Sequence, residues 1–215
     1  MPAARPAATV IVARDRDDSF EVLLLKRSEV GAFAGLWVFP GGRVDDTDAG
    51  DDELARAASA AVREALEEVS LDIDATQLIA LSHWTPPAIA AKRYTTWFFV
   101  VAWSGGEVRI DEHEIVDSRW ISPADAISAG LAMAPPTHVT LVDLANAGSF
   151  ERLRGLIARR GIERFVTVAA EHDGDVVLLW ELDAGYDTAD PTLPGRRHRM
   201  TLREGLPLNF ERSEG

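Results

Sequence analysis

The sequence predicts an α/β fold in a single domain, with a C-terminal elaboration. Three observations predict it. Short runs rich in branched apolar residues recur at strand length, one long segment from 53 to 69 has helical periodicity, and further strand-like and helical stretches alternate after it. No internal repeat and no long linker interrupts the 215 residues, a length that suits one domain.

In order along the chain, residues 8–13 and 21–26 read as a hairpin of buried strands joined by the polar turn at 14–19. Residues 36–39 form another apolar run, stopped by Pro40, Gly41 and Gly42, a combination that predicts a loop. Residues 45–52 carry five Asp and predict a polar loop whose last member, Asp52, caps a helix. That helix is the clearest in the chain, with Leu54, Ala58, Ala61, Val62, Ala65, Leu66 and Val69 recurring every three or four residues. Residues 78–81, 94–103 and 118–121 read as strands, and Ser122 followed by Pro123 starts a capped helix. One or two helices are expected over 137–160, broken near Gly148, and strands at 164–169 and 176–182. The last thirty residues, with Pro191, Pro194 and Pro207, read as irregular. The expected division is a core of about 7–135 and an extension of about 136–215.

Composition narrows the chemistry. The chain contains no cysteine, which removes disulfides, thiolate metal sites and a cysteine nucleophile, so a metal here would sit on oxygen or histidine. His83, His113 and His138 have no metal spacing. The longest apolar strand-like run, residues 97–103, is far below the ~20 residues that span a bilayer. With no signal-like start, the chain reads as cytoplasmic, with no membrane partner. The net charge of −13 argues against a nucleic-acid partner, because phosphate backbones are held by surplus Lys and Arg. That charge is concentrated: from 45 to 74, eleven acids face only Arg56 and Arg63, a net of −9.

On a helix, Glu64, Glu67 and Glu68 fall within an arc of about 100°, beside the apolar face. Like charges so spaced repel by a few tenths of a kcal/mol per pair. Either the arc is a solvated acidic face, or a divalent cation, which prefers carboxylates and phosphate oxygens, turns the repulsion into a site. The turn at Gly41 and Gly42, which lets backbone approach a ligand, favours the second reading.

These residues resemble the Nudix box, written GX5EX7REUXEEXGU with U a bulky aliphatic residue. Gly42, Arg63, Glu64, Glu67, Glu68 and Leu71 match it. Twenty residues separate Gly42 from Arg63 where the pattern has thirteen, a seven-residue insertion in the Asp-rich loop. Counting on from Gly42 puts the pattern's isolated Glu at Asp48, and counting back from Arg63 puts it at Ala55, so that position stays unassigned. Ser70 replaces Gly at the helix end; in a left-handed conformation it costs roughly 1 kcal/mol relative to Gly. Outside the box, residues 23–28, 39–45, 84–87, 93–99, 135–137 and 195–199 are similar to the branch that includes peroxisomal coenzyme A diphosphatases. The coenzyme A signature of that branch has an Arg where residues 29–34 have none.

The resemblance implies a Nudix α/β/α sandwich with a mixed sheet, and a diphosphatase using Mg²⁺ or Mn²⁺. It makes Glu64, Glu67 and Glu68 metal ligands, with the Gly42 carbonyl as another, and gives Arg63 the task of orienting Glu67. Glu114, in preference to Glu112, is the acid expected from a later loop as base or ligand. Glu67, Arg63 and Glu114 are thus the expected catalytic residues. Arg27 and Arg93 are the expected phosphate partners, and Tyr94 a candidate for stacking on a base. Trp84 reads rather as core, and the arginines of 196–199 as structural. The implied substrate is a nucleoside diphosphate linked to some group X, with coenzyme A esters tried first. Oxidised nucleotides, dinucleotides such as NADH, and ADP-ribose are the enzymatic alternatives, and a nucleotide sensor the non-catalytic one. The resemblance also suggests a homodimer.

Overall fold

A computed structural model describes residues 4–16, 19–90, 93–103, 105–111 and 113–213. Its centre is an eight-stranded mixed sheet. The strands are β1 (Arg5–Arg16), β2 (Ser19–Arg27), β3 (Trp37–Val38), β4 (Gly41–Arg43), β5 (Ile79–Thr85), β6 (Tyr94–Ala102), β7 (Ile115–Ile121) and β8 (Glu163–Val166). The spatial order is β3-β2-β1-β6-β5-β8, with β4 paired to β1 and β7 to β2. β1 runs parallel to β6 and β5 parallel to β8; the other pairs are antiparallel. The expected hairpin is present, with Arg14 opposite Glu21 and Ala13 opposite Val22.

Alternation along the central strands divides the apolar residues between two faces. Val10, Val12, Leu23 and Leu25 point to one face and pack on α1 (Glu53–Val69). Ile11, Ala13, Val22 and Leu24 point to the other, under α2 (Pro123–Ser128), α3 (Pro135–Ala147) and α4 (Phe150–Arg160). Helices on both faces of a mixed sheet make the α/β/α sandwich that the resemblance implies. Asp52 caps α1 by accepting the Ala55 N–H at 2.8 Å. Ser70 closes it in the left-handed region, φ 59°, donating its N–H to Leu66.

Two expectations are corrected. Residues 41–43 are not a free loop: Thr9 pairs with Gly41 and Ala7 with Arg43, so the glycine turn is a short strand against β1. The last thirty residues are irregular only as far as 197, after which two strands follow. β9 (Val168–His172), β10 (Asp175–Leu179), β11 (His198–Arg203) and β12 (Leu206–Arg212) form a second, antiparallel sheet in the order β12-β11-β10-β9. The three prolines misled because Pro191 and Pro194 lie in the turns before β11, while Pro207 sits on the edge strand β12, where a missing N–H is tolerated. Trp180, after β10, ties this sheet to the main core by edge contacts with Trp84 and Phe165. Trp84 itself stacks on Phe165 at 3.7 Å, the core role expected of it. No helix among the described residues is long and apolar enough to cross a membrane.

Candidate active site

The site begins with how α1 meets β4. At about 100° per residue, Glu64 and Glu68 stand in line with Ala57 and Ala61, on the stripe facing the sheet, and not on an adjoining face. Leu66, counted with the apolar positions, is on the opposite side and exposed. The stripe is made of small residues, Ala57, Ala60, Ala61 and Ala65, which let the helix sit close to the sheet. Only glycine admits the carboxylates at that distance: a Cβ on Gly42 would lie 2.3 Å from Glu64 Oε1. Glu68 accepts the Gly41 N–H at 2.9 Å and a hydrogen bond from Arg27 Nη1 at 3.1 Å. The other end of the Arg27 guanidinium donates to Glu114.

Burial raises both inner carboxyls. Glu68 is pushed up to about 8 by desolvation, with Glu64 and Glu114 raising it further against the Gly41 N–H and Arg27. Glu64 is raised for the same first reason; Arg63 opposes the shift and Glu67 and Asp45 add to it. The repulsion inferred from spacing alone is therefore present, in a low-dielectric setting that strengthens it.

Arg63 is the hub of the outer part. Its Nη1 donates to Glu64 at 2.8 Å and Glu67 at 3.0 Å, and its Nη2 to the Arg43 carbonyl at 2.9 Å. Its Nε and Nη2 grip Asp48 with two bonds of 2.9 and 3.1 Å. Asp48 is buried, and hydrogen bonding from Arg63 holds its carboxyl below the usual range. This partner was left open by the motif spacing, although the forward count from Gly42 lands on it. Asp48→Ala is expected to cost about 2 kcal/mol, because it leaves a half-buried guanidinium with one partner fewer. A denaturant midpoint equal to that of the parent would remove Asp48 from this role.

Arg27, Gly42, Arg63, Glu64, Glu67, Tyr94 and Glu114 line one open cleft of about 410 Å³. Glu68 lies behind it, and Arg93 is not among its lining residues. Glu112 falls outside the described residues. Phe33 and Thr137, neither singled out from the sequence as site residues, also line the cleft; Phe33 packs 6.3 Å from Tyr94. Among the described residues, no three carboxylate or histidine side chains stand gathered around a common cation position. Glu67 is turned to Arg63, and Glu68 to Gly41 and Arg27, each carboxylate having taken the nearest donor.

The NUDIX domain model matches residues 3–144, about two thirds of the chain. The chain belongs to the Nudix family. Similar solved structures include a NUDIX hydrolase from Alicyclobacillus acidocaldarius, at 23% identity and TM-score 0.65, covering 76% of this chain and 98% of that one. The NUDIX domain of Shewanella oneidensis NrtR, complexed with ADP ribose, has 20% identity and TM-score 0.53, covering 68% and 88%. A MutT NUDIX hydrolase from Burkholderia pseudomallei has 21% identity and TM-score 0.52, covering 65% and 97%. No curated protein matches the sequence.

As a Nudix hydrolase, the chain acts on the pyrophosphate bond of nucleoside diphosphate derivatives. The Nudix glycine now has a physical reason. Gly42 does not have a positive φ, so alanine suits its backbone, and the atoms a Cβ would meet are the movable end of Glu64. Gly42→Ala is expected to shift the unfolding midpoint by only a few degrees while lowering kcat/KM about 100-fold, the cost of displacing one carboxylate by about 1 Å. Equal activity would show that the close approach of Glu64 to β4 is not needed.

Proposed function

We propose that the protein cleaves the diphosphate of a nucleoside diphosphate linked to X, using Mg²⁺ or Mn²⁺. The observation that carries the reading is a row of carboxylates along one side of the cleft, Glu64 against Gly42, Glu68 on the Gly41 N–H and Glu67 on Arg63, with Glu114 joined to Glu68 through Arg27. A hard divalent ion fits this donor set. The inner carboxyls are raised by burial and by neighbouring carboxylates, and the missing side chain of Gly42 leaves Glu64 lying against backbone. Glu64, Glu67, Glu68 and the Gly42 carbonyl would hold it. Bound there, the ion supplies positive charge against the diphosphate and polarises its P–O bonds.

The remaining work belongs to the chain's own residues. Water attacks one phosphorus, its proton passes to a carboxylate at the cleft wall, and the anhydride P–O bond breaks to leave the second phosphate. Of the exposed carboxylates that line the cleft, Asp45, Glu67 and Glu114, the last two each accept a hydrogen bond from an arginine, Arg63 and Arg27. Arg63 thus positions Glu67, while Arg27, which lines the cleft, is assigned to phosphate and Tyr94 to the base of the nucleotide. In this reading the partner is a small nucleotide, the setting cytoplasmic and the assembly a homodimer.

The test is incubation with Mg²⁺ or Mn²⁺ and coenzyme A esters, NADH, ADP-ribose or oxidised dGTP, with products identified by mass. Cleavage at the diphosphate of at least one substrate, dependent on the ion, is the expected result. Binding without cleavage across the panel would overturn the reading in favour of a nucleotide sensor.

A further inference from the structure

Helix α3 begins at the cleft, and its opening turn is the part of the cleft wall that the carboxylate chemistry does not use. Ala134, Pro136 and Thr137 line the cleft. The helix has no side-chain cap, and its first backbone bond runs from the His138 N–H to the Ala134 carbonyl at 3.1 Å. Thr137 is only 5% exposed, yet neither its hydroxyl nor its N–H has a hydrogen-bond partner among the described residues. The hydroxyl is not one of the fully enclosed unpartnered atoms, so it opens on the cleft, where it is available to donate to a ligand. On the same cleft Phe33 is 49% exposed and held at φ 57°, a left-handed conformation unfavourable for an aromatic residue.

We propose that the first turn of α3 recognises the heterocyclic base of the substrate, with the Thr137 hydroxyl and N–H donating to its acceptor atoms and Phe33 and Tyr94 packing on its face. This rests on the reading of the substrate as a nucleotide. A phosphate is a poorer occupant of this turn. Pro135 and Pro136 remove two of the amide donors that make a helix N-terminus an anion site, leaving one N–H and one hydroxyl. An acyl chain is poorer still, because it would cover both donors without offering an acceptor. A planar base supplies both a face for the aromatics and ring acceptors for the donors, the combination of an apolar wall with few convergent polar groups that confers specificity.

Calorimetric titration of the full chain with AMP, GMP, CMP, UMP and ribose 5-phosphate tests this. The parent is expected to bind at least one of the four nucleotides more tightly than ribose 5-phosphate. Thr137→Val, which keeps shape and removes the hydroxyl, is expected to weaken that nucleotide roughly 10-fold and leave ribose 5-phosphate unchanged. Thr137→Ser, which restores the hydroxyl, is expected to return to within a few-fold of the parent. The proposal is overturned if no nucleotide exceeds ribose 5-phosphate, if Thr137→Val binds like the parent, or if it weakens both ligands equally. Base-dependent binding without cleavage of any diphosphate would refute the hydrolytic reading and leave this one standing.

Discussion

Replacing Arg199 by alanine is expected to lower stability by about 3–5 kcal/mol, or roughly 10 °C in the unfolding midpoint. Arg199 lies on β11 and grips Asp183 with two bonds, Nε to Oδ2 at 2.7 Å and Nη2 to Oδ1 at 2.6 Å, while Nη1 donates to the Pro191 carbonyl at 2.6 Å. The Asp183 side chain is wholly buried. Losing the guanidinium would strand a carboxylate in the interior with only the His198 and Gly185 N–H groups to hold it. Because Trp180 links this region to Trp84 and Phe165, the loss is transmitted to the main core. The same pair sets an acid dependence. Burial alone would raise the Asp183 carboxyl, but Arg199 and the two backbone donors outweigh it and bring it from 3.8 down to about 2. A carboxyl depressed in the folded state contributes stability that is present above about pH 4 and lost as the pH falls toward 2, here about 2 kcal/mol. Asp183→Asn should therefore show a stability difference from the parent that shrinks by that amount between pH 5 and pH 2. Parallel stability curves across that range would show that Asp183 is not the titrating group.

The elements that the sequence disclosed are those whose burial is local. Alternation placed β1 and β2, and the capping residue Asp52 with the left-handed Ser70 bounded α1, because each signal is read within a few residues. What stayed hidden depended on distant partners. The face of α1 was misjudged since alanines, which carry little hydropathy contrast, form the stripe that meets the sheet; the bulky Leu66 is left outside. That error put Glu64 and Glu68 on a shoulder, when their burial against Gly41 and Gly42 is what raises them. Asp48 was missed for a related reason. A seven-residue insertion breaks the motif count, and nothing in the sequence says whether the extra residues fall before or after the acid. In the structure Arg63 meets Asp48 across fifteen positions. Phe33 and Thr137 carry no local signal at all, since an exposed aromatic and an unpaired hydroxyl are visible only once the cleft is assembled. The arginine run at 196–199 was legible as structural, but its partner Asp183 was not.

Glu67→Gln is expected to lower kcat by about 10²–10⁴-fold with a smaller change in KM, the range for removing a positioned general base. Glu67 differs from its two neighbours in being exposed and tied only to Arg63, at 3.0 Å, while Glu64 and Glu68 lie inward against β4. An exposed carboxylate can accept a proton from water in the cleft and exchange it with solvent, whereas Glu68 is engaged by Gly41 and Arg27. The glutamine keeps the size and one acceptor oxygen, so Arg63 remains bound and the fold is unaffected. Comparison with Glu114→Gln at the opposite wall decides between the two carboxylates. If Glu67 is the base, its variant loses activity across the pH range and the Glu114 variant loses no more than about 10-fold, the effect of weakening Arg27's hold on the site. Full loss at Glu114 with a mild effect at Glu67 would transfer the base to Glu114 and leave Glu67 a charge at the rim. A loss at Glu67 that higher Mg²⁺ or Mn²⁺ restores would instead identify it as an ion ligand alone, since added cation can refill a weakened site but cannot replace a proton acceptor.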